Sequence, residues 1–587
     1  MRRSIATVCL SGTLDVKLEA AAAAGFDGVE IFEPDLIGSP LSPAEVRSRA
    51  EALGLTIDLY QPFRDFEAMP DLDLRRAEAK FDVMEQLGVD TLLVCSNVSP
   101  DAIDDDDLAA EQLHALATRA GDRGLKIAYE ALAWGRHVSE YDHAWRIVEA
   151  AGHPALGTCL DSFHILSRGT DLAAIDTIAG EKIFFLQLAD APYLTMDVLQ
   201  WSRHYRCFPG QGGLDVKGLV DRVLAAGYSG PLSLEVFNDV FRQADPGRTA
   251  IDAMRSLLVL EDRLPPPAPL DGFAFVELGV DAGSAPGIEA LLRSMGFRHA
   301  GPHRSKPVHL WEHGEIRVVL NHGAGDDDPE VVAVAVNSRD PDAGAARAEA
   351  LLAPVQERRR GPGEADFAAV AAPDGTSVFF CGEDWVEDFL PTGEPGGDPV
   401  PIERIDHITL AQPFDAFHEA GLFYRSVLDL EPSESQEVAA PDGLVRSRAF
   451  ARGPVRVVLN VPALAGTTQA ELQHVAFACS DALATARAMR ERGVPLLAVP
   501  ANYYDDLAAR LELAPGLLDA LRELDVLYDR GAKGELLHFY TAPTGGRVFF
   551  EVLERRAGYG GYGAANSPVR MAAIHRAEER DAPARRA

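Results

Sequence analysis

The sequence predicts an α/β chain in which an N-terminal (β/α)8 barrel precedes two related α+β modules. Three observations predict it. Short β-rich runs alternate with helical stretches over roughly the first 260 residues. A proline cluster, Leu264-Pro265-Pro266-Pro267-Ala268-Pro269, ends that alternation. Beyond it, the chain repeats its own pattern.

The β-rich runs are IATVCL (5–10), GVEIF (28–32), LTIDLYQP (55–62), TLLVCSN (91–97), KIAYEAL (126–132), LGTCLDSF (156–163), IFFLQLADA (183–191) and LSLEVFN (232–238). Between them lie stretches such as VKLEAAAAAGF and AEAKFDVMEQLG, with apolar residues at helical spacing. Eight strands and about eight helices in this length match a closed barrel. A doubly wound sheet is the alternative; the count of eight favours the barrel. The boundaries expected are 1–264 for the barrel, 265–271 for a stiff linker, 272–395 and 400–565 for the two modules, and 566–587 for a frayed or helical tail. The turn-rich PTGEPGGDP at 391–399 separates the modules.

The repeat is read from four pairs of segments. VVLNHGA (318–324) matches VVLNVPA (457–463), and VFFCGED (378–384) matches VFFEVLE (548–554). VVAVAVNS (331–338) lies over QHVAFACS (473–480), and FAFVELGV (273–280) over RIDHITLA (404–411). Each module is expected to be a mixed sheet curved around a cavity.

Composition narrows the function classes. The net charge of −35 opposes phosphate backbones and anionic bilayers, so no nucleic-acid or membrane partner is expected. No stretch approaches the roughly 18 apolar residues of a membrane span, and the basic start lacks the long apolar run of a signal peptide. The six cysteines (Cys9, Cys95, Cys159, Cys207, Cys381, Cys479) show no CxxC pairing. That suits reduced core thiols, and a cytoplasmic location is expected.

Barrel enzymes carry their chemistry where the strands end. Four successive exits carry oxygen-bearing side chains: Glu130 in AYEAL, Asp161 in LDSF, Gln187 in FFLQLAD and Glu235 in SLEVF. Each alone could be a helix cap or a satisfied polar group. Converging together, three carboxylates repel unless a cation joins them. A hard oxygen set of this kind suits Mg²⁺ or Mn²⁺. His164 lies one helical turn past Asp161, placed to serve as general acid or base. Tyr60, Gln61 and Arg64 leave the third strand in LYQPFRDF, and Ser202, Arg203, His204 and Arg206 lie in the long WSRHYRCFPGQGGLD loop. Arginines there could clamp a carboxylate, although Arg203 reads as solvated surface charge.

These residues carry a resemblance. The barrel is similar to the xylose isomerase-like TIM barrel superfamily. Within it, YQPFRDFE, YEALAWG, LDSFHIL and SRHYRCFPGQG resemble the bacterial 3-dehydroshikimate dehydratases. The resemblance implies that Glu130, Asp161, Gln187 and Glu235 bind Mg²⁺, Mn²⁺ or Co²⁺. It also implies loss of water from 3-dehydroshikimate to give protocatechuate, in the catabolism of quinate and shikimate. His164, helped by Glu130, would move the proton; Arg64 and Arg206 would hold the substrate carboxylate. Tyr60, Gln61, Ser202 and His204 would line the substrate. A sugar isomerase or epimerase barrel is the alternative.

In the last module Asp406-His407, Gln473-His474 and Phe550-Glu551 each lie in a β-like run. Two histidines and a glutamate make a facial triad suited to Fe²⁺ or another divalent metal. Phe275, Val332 and Cys381 stand at the matching positions of the first module and cannot form such a site. DHITL, LNVP, LQHVAF, NYYDDL and FFEVLER resemble the 4-hydroxyphenylpyruvate dioxygenases, which implies tandem vicinal-oxygen-chelate (βαβββ) modules with a degenerate first half. Ser447 and Asn460 match substrate-side positions. Two departures mark this chain: His538 stands where that family has glutamine, and Ser567 where it has a ring-stacking phenylalanine. The C-terminal half is therefore expected to be either an active Fe(II) dioxygenase or a metal-stabilised interaction module. The assembly is expected to be a homo-oligomer.

Overall fold

The computed structural model describes residues 1–325, 328–382, 384–395, 400–441, 443–462, 472–545 and 547–585. The chain divides into two compact units, Met1–Arg263 and Leu264–Ala587. The last four residues of the expected inter-module break lie outside the described residues.

The first unit is a closed parallel barrel in the order β1 to β8. Its strands are β1 (Arg3–Ala6), β2 (Gly28–Phe32), β3 (Thr56–Phe63), β4 (Thr91–Cys95), β5 (Lys126–Glu130), β6 (Leu156–Asp161), β7 (Ile183–Leu188) and β8 (Leu232–Leu234). β1 pairs with β8 in parallel, which closes the ring. The predicted runs overshoot several strands at their C-terminal ends, because the chain turns there to present polar side chains rather than to extend the ladder. Side-chain alternation then separates two cores. Outward residues such as Val29, Tyr60, Leu92, Ile127 and Leu160 join the large core beneath the helices. Inward residues Leu59, Leu93, Cys95, Ala128, Cys159 and Phe185 form a smaller plug inside the barrel.

The second unit contains two mixed sheets. The first runs β10–β11–β12–β9–β13–β15–β14, from β9 (Leu270–Gly279), β10 (Arg298–Pro302), β11 (Val308–His313), β12 (Ile316–Asn321), β13 (Glu330–Ser338), β14 (Ala368–Ala371) and β15 (Ser377–Cys381). The second runs β17–β19–β20–β16–β21–β24–β23–β22, with β18 on β19. Its strands are β16 (Ile402–Ala411), β17 (Glu431–Pro432), β18 (Gln436–Ala440), β19 (Gly443–Arg452), β20 (Val455–Pro462), β21 (Gln473–Cys479), β22 (Leu527–Arg530), β23 (Glu535–Tyr540) and β24 (Val548–Arg556).

The repeat appears in the pairing itself. β9 pairs in parallel with β12 and antiparallel with β13, and β13 is parallel to β15. β16 repeats this with β20, β21 and β24. In the first module Phe275 and Cys381 meet in an apolar cluster, with Phe275 against Trp385 at 4.6 Å. The residue from β13 in that cluster is Ala335, not Val332 as the sequence suggests, because a register shift between Val331 and Ala333 changes the phase of β13. The tail forms a helix, Ser567–Arg585. Among the described residues, no helix is long and apolar enough to cross a membrane.

Candidate active site and metal centres

The barrel site follows from strand phase. Gln61 lies two residues past Leu59, Glu130 past Ala128, Asp161 past Cys159 and Gln187 past Phe185, so all four share the inward face of the plug. Glu235 follows β8, its amide held by the Leu188 carbonyl at 3.1 Å. None of Glu130, Asp161, Gln187 and Glu235 is more than 5% exposed. One ligand atom each of Glu130, Asp161 and His164 falls within 4.8 Å of the others.

Asp161 performs two tasks. Its Oδ1 accepts the backbone N–H of His164 at 2.9 Å and so caps the helix Ser162–Ser167. Its Oδ2 accepts from Arg206 Nη1 at 2.8 Å. The same Nη1 donates to Glu235 Oε2 at 3.0 Å, tying the Glu235 carboxylate to the group. Glu130 is less well served. Among the described residues its Oε2 accepts only a weak bond from Cys95 Sγ at 3.4 Å, and its Oε1 is buried with no hydrogen-bond partner.

The electrostatics reflect this imbalance. Burial, then Asp161 and Glu235, push Glu130 well above the usual carboxylate range. Burial lifts Glu235 to about 7 against the pull of Arg206. Burial also opposes the charge on Asp161, but Arg206 and the backbone N–H of His164 override it and hold the group below its ordinary value. Three carboxylates surround one guanidinium, so a divalent cation fits the donor set and the uncompensated charge.

His164 is buried, and that burial pushes it down to about 3, leaving a neutral imidazole. The Ala133 N–H donates to its Nδ1 at 3.2 Å, and Arg206 Nη2 approaches its Nε2 at 3.1 Å. Both neighbours are donors and a neutral ring has one lone pair, so only one contact is a hydrogen bond in this arrangement. Trp134 meets the ring edge-on at 5.0 Å.

Four expected roles do not fit the geometry. Arg206 is 1% exposed and its fork is engaged: Nη1 by Asp161 and Glu235, Nη2 by His164 and Ser202, Nε by Ser202. It braces carboxylates of the site and has no free fork for a substrate carboxylate. Ser202 accordingly holds Arg206. Tyr60 falls on the outward phase of β3, where its hydroxyl donates to Glu33 at 3.0 Å. His204 is on the rim, 40% exposed and 2.9 Å from Asp239. Arg64 is half-buried at the exit of β3, where its charge acts on His164 and Glu235.

Sequence reasoning missed Glu30. This fourth carboxylate, from β2, is fully buried and accepts from Gln61 at 3.0 Å, from Gln187 at 2.6 Å and from the Ser233 hydroxyl. Gln61 bridges onward to Glu235 Oε1 at 2.8 Å. Glu30 thus fixes the Gln187 amide and connects β2, β3, β7 and β8. The signal was present in GVEIF: a glutamate flanked by outward Val29 and Ile31 can only face inward.

The second centre lies on adjacent strands β16, β21 and β24. His407 Nε2 and His474 Nε2 lie 3.2 and 3.1 Å from Glu551 Oε2, and 3.3 Å from each other. All three residues are buried. The outer contacts orient them. Asp406 meets His407 Nδ1 at 3.0 Å and is itself gripped by Arg555 at 2.7 and 2.9 Å. His538 Nδ1 lies 2.7 Å from Glu551 Oε1, while its Nε2 contacts Asn566 Nδ2 at 2.8 Å. Burial alone would neutralise Glu551, but the three histidines hold its carboxyl well below the usual range. Burial drives His474 down to about 3, so that ring is neutral and suited to metal ligation.

Known proteins resemble the chain along its whole length. Residues 18–258 match the model of the xylose isomerase-like TIM barrel, 265–384 that of the N-terminal part of hydroxyphenylpyruvate dioxygenase, and 404–512 that of the glyoxalase/bleomycin resistance protein/dioxygenase superfamily. A 3-dehydroshikimate dehydratase of Pseudomonas putida is 45% identical, over 98% of this chain and 98% of the relative. A 4-hydroxyphenylpyruvate dioxygenase of Pseudomonas aeruginosa is 28% identical over 51% of this chain and 92% of its own. A solved structure described as a xylose isomerase-like TIM barrel/4-hydroxyphenylpyruvate dioxygenase fusion protein superposes with a TM-score of 0.91 at 44% identity, covering 98% of this chain and 99% of that one.

Proposed function

Because the chain belongs to the 3-dehydroshikimate dehydratase family, in the form that fuses a TIM barrel to dioxygenase-like modules, it is a hydro-lyase, and we propose that Glu130, Asp161, Gln187 and Glu235 hold the divalent cation of its dehydratase site. The observation that supports this most is the buried, unpartnered Oε1 of Glu130 beside two further carboxylates. An all-oxygen set favours Mg²⁺, Mn²⁺ or Co²⁺ over zinc.

Dehydration of 3-dehydroshikimate requires removal of a proton beside the ketone and departure of a hydroxyl one carbon further on. A bound cation would supply a Lewis acid for the negative charge that develops on the ketone oxygen. His164 is the group proposed to carry the proton, within ligand distance of Glu130 and Asp161. The Ala133 amide and Trp134 fix its ring. Glu30 and Gln61 act as positioning residues for Gln187 and Glu235. With Arg206 engaged, Arg64 is the proposed anchor for the substrate carboxylate. Six buried free cysteines accord with a reducing cytoplasm. The test is formation of protocatechuate, followed by absorbance, with and without chelator.

A second reading concerns His407, His474 and Glu551. Their convergence, buried and within 3.3 Å of one another, favours a bound divalent metal, with Fe²⁺ as the candidate. If this centre is a dioxygenase, the Fe²⁺-loaded chain consumes oxygen on addition of 4-hydroxyphenylpyruvate. Absence of uptake would leave a metal that serves structure.

A further inference from the structure

The degenerate first module carries a histidine cluster away from its apolar interior. Glu289 lies on the helix Ala285–Ser294, His309 on β11, and His322 directly after β12. One ligand atom from each falls within 4.8 Å of the others, and all three residues are partly buried. The His309 and His322 rings lie 4.6 Å apart at 56°. A third imidazole, His299 of β10, stacks on His309 at 5.0 Å and 21°.

Among the described residues, none forms a hydrogen bond or ion pair with the Glu289 carboxylate or with the His309 or His322 rings. His322 Nε2 and His299 Nε2 are buried without any partner. Polar atoms left so cost stability unless something joins them. Arg293, on the same helix as Glu289, is directed elsewhere: its guanidinium stacks on Trp311 at 4.8 Å and pairs with Glu394.

We propose that Glu289, His309 and His322 form a third metal site, selective for borderline ions such as Zn²⁺, with water in the fourth position and His299 stacked to fix the His309 ring. Two imidazoles and a carboxylate suit zinc, copper or nickel and disfavour magnesium. The ligands come from a helix and a β-hairpin, so the ion would tie these elements together as a structural cross-link. The partial exposure of all three leaves a path for the ion. The site is distinct from His407–His474–Glu551 and independent of the dehydratase assignment.

The test uses the full chain, stripped with chelator, dialysed against Zn²⁺ and assayed for zinc content. The His309→Ala/His322→Ala variant should retain about one equivalent less zinc than the unaltered chain, with protocatechuate formation unchanged. Zinc should also protect His309 and His322 from acylation by diethyl pyrocarbonate, as read by peptide mass. If the double variant fails to fold by circular dichroism, Glu289→Gln, which leaves both rings in place, must show the loss of protection. Equal zinc content in a folded variant, or labelling of His309 and His322 unaffected by zinc, would overturn the proposal.

Discussion

Arg206 Nη1 donates to Asp161 Oδ2 at 2.8 Å with both side chains out of contact with solvent. This pair sets the electrostatics of the barrel site. It keeps Asp161 ionised while the neighbouring Glu130 and Glu235 are pushed the other way. Arg206→Met should therefore leave buried carboxylates uncompensated. Loss of one partner of a buried pair costs about 3–5 kcal/mol. A chelated Arg206→Met chain should melt well below the chelated parent, with much of the difference recovered on adding Mn²⁺.

A pH dependence follows from Glu130 and Glu235. Both are raised in the folded chain, Glu235 to about 7, above the roughly 4.3 of an unfolded glutamate. Between those values the metal-free folded state holds protons that the unfolded state releases, so its stability falls as pH rises through that window. A divalent cation must displace those protons. Thermal melts should show the stabilisation by Mn²⁺ growing from pH 5 toward pH 7.5, and a flat response would contradict the ligand assignment.

His164 is assigned the proton and not the cation. His164→Ala should lower kcat by about 10²–10⁴-fold while metal content stays near that of the parent. Parallel loss of metal and activity would instead make it a ligand, which its distance from Glu130 and Asp161 also permits.

Glu30 acts through Gln187 and Gln61. Glu30→Leu removes the acceptor of both amides, and outer partners of this kind alter metal affinity by about 10–100-fold. The loss should be overcome by excess Mn²⁺ in titrations of dehydratase activity. A variant that stays inactive at saturating metal would place Glu30 in some other role.

In the C-terminal centre, Asp406 orients His407 and is held by Arg555. Asp406→Asn should weaken metal retention there by about 10–100-fold and leave protocatechuate formation intact. Metal content per chain, measured beside activity, checks both halves of this expectation.

Much of this architecture is legible in the sequence because strand phase and strand order are local signals. The eight β-rich runs give the barrel, and their polar exits give Glu130, Asp161, Gln187 and Glu235. TCLDSFHIL is ambiguous between a helix cap and a ligand because Asp161 caps its helix with Oδ1 and leaves Oδ2 to face Arg206 and the other carboxylates of the site. What stays hidden depends on facing and on pairing across distant strands. Tyr60 sits one residue from Gln61 yet points to the opposite side of β3. Glu30 is invisible to a reading confined to the last four strand exits. Arg206 looks like a substrate clamp in its loop, and only its burial against Asp161 and Glu235 shows otherwise. In β13 a register shift defeats the simple repeat and exchanges Val332 for Ala335.

A divalent cation held by the barrel carboxylates is the proposed requirement for dehydration. It is tested by following protocatechuate formation from 3-dehydroshikimate with the chelated full chain, before and after adding Mg²⁺, Mn²⁺ or Co²⁺, beside a Glu130→Gln variant. Turnover should vanish after chelation and recover on adding metal, with little recovery in the variant. Undiminished turnover in the chelated chain, verified free of metal, would contradict that requirement.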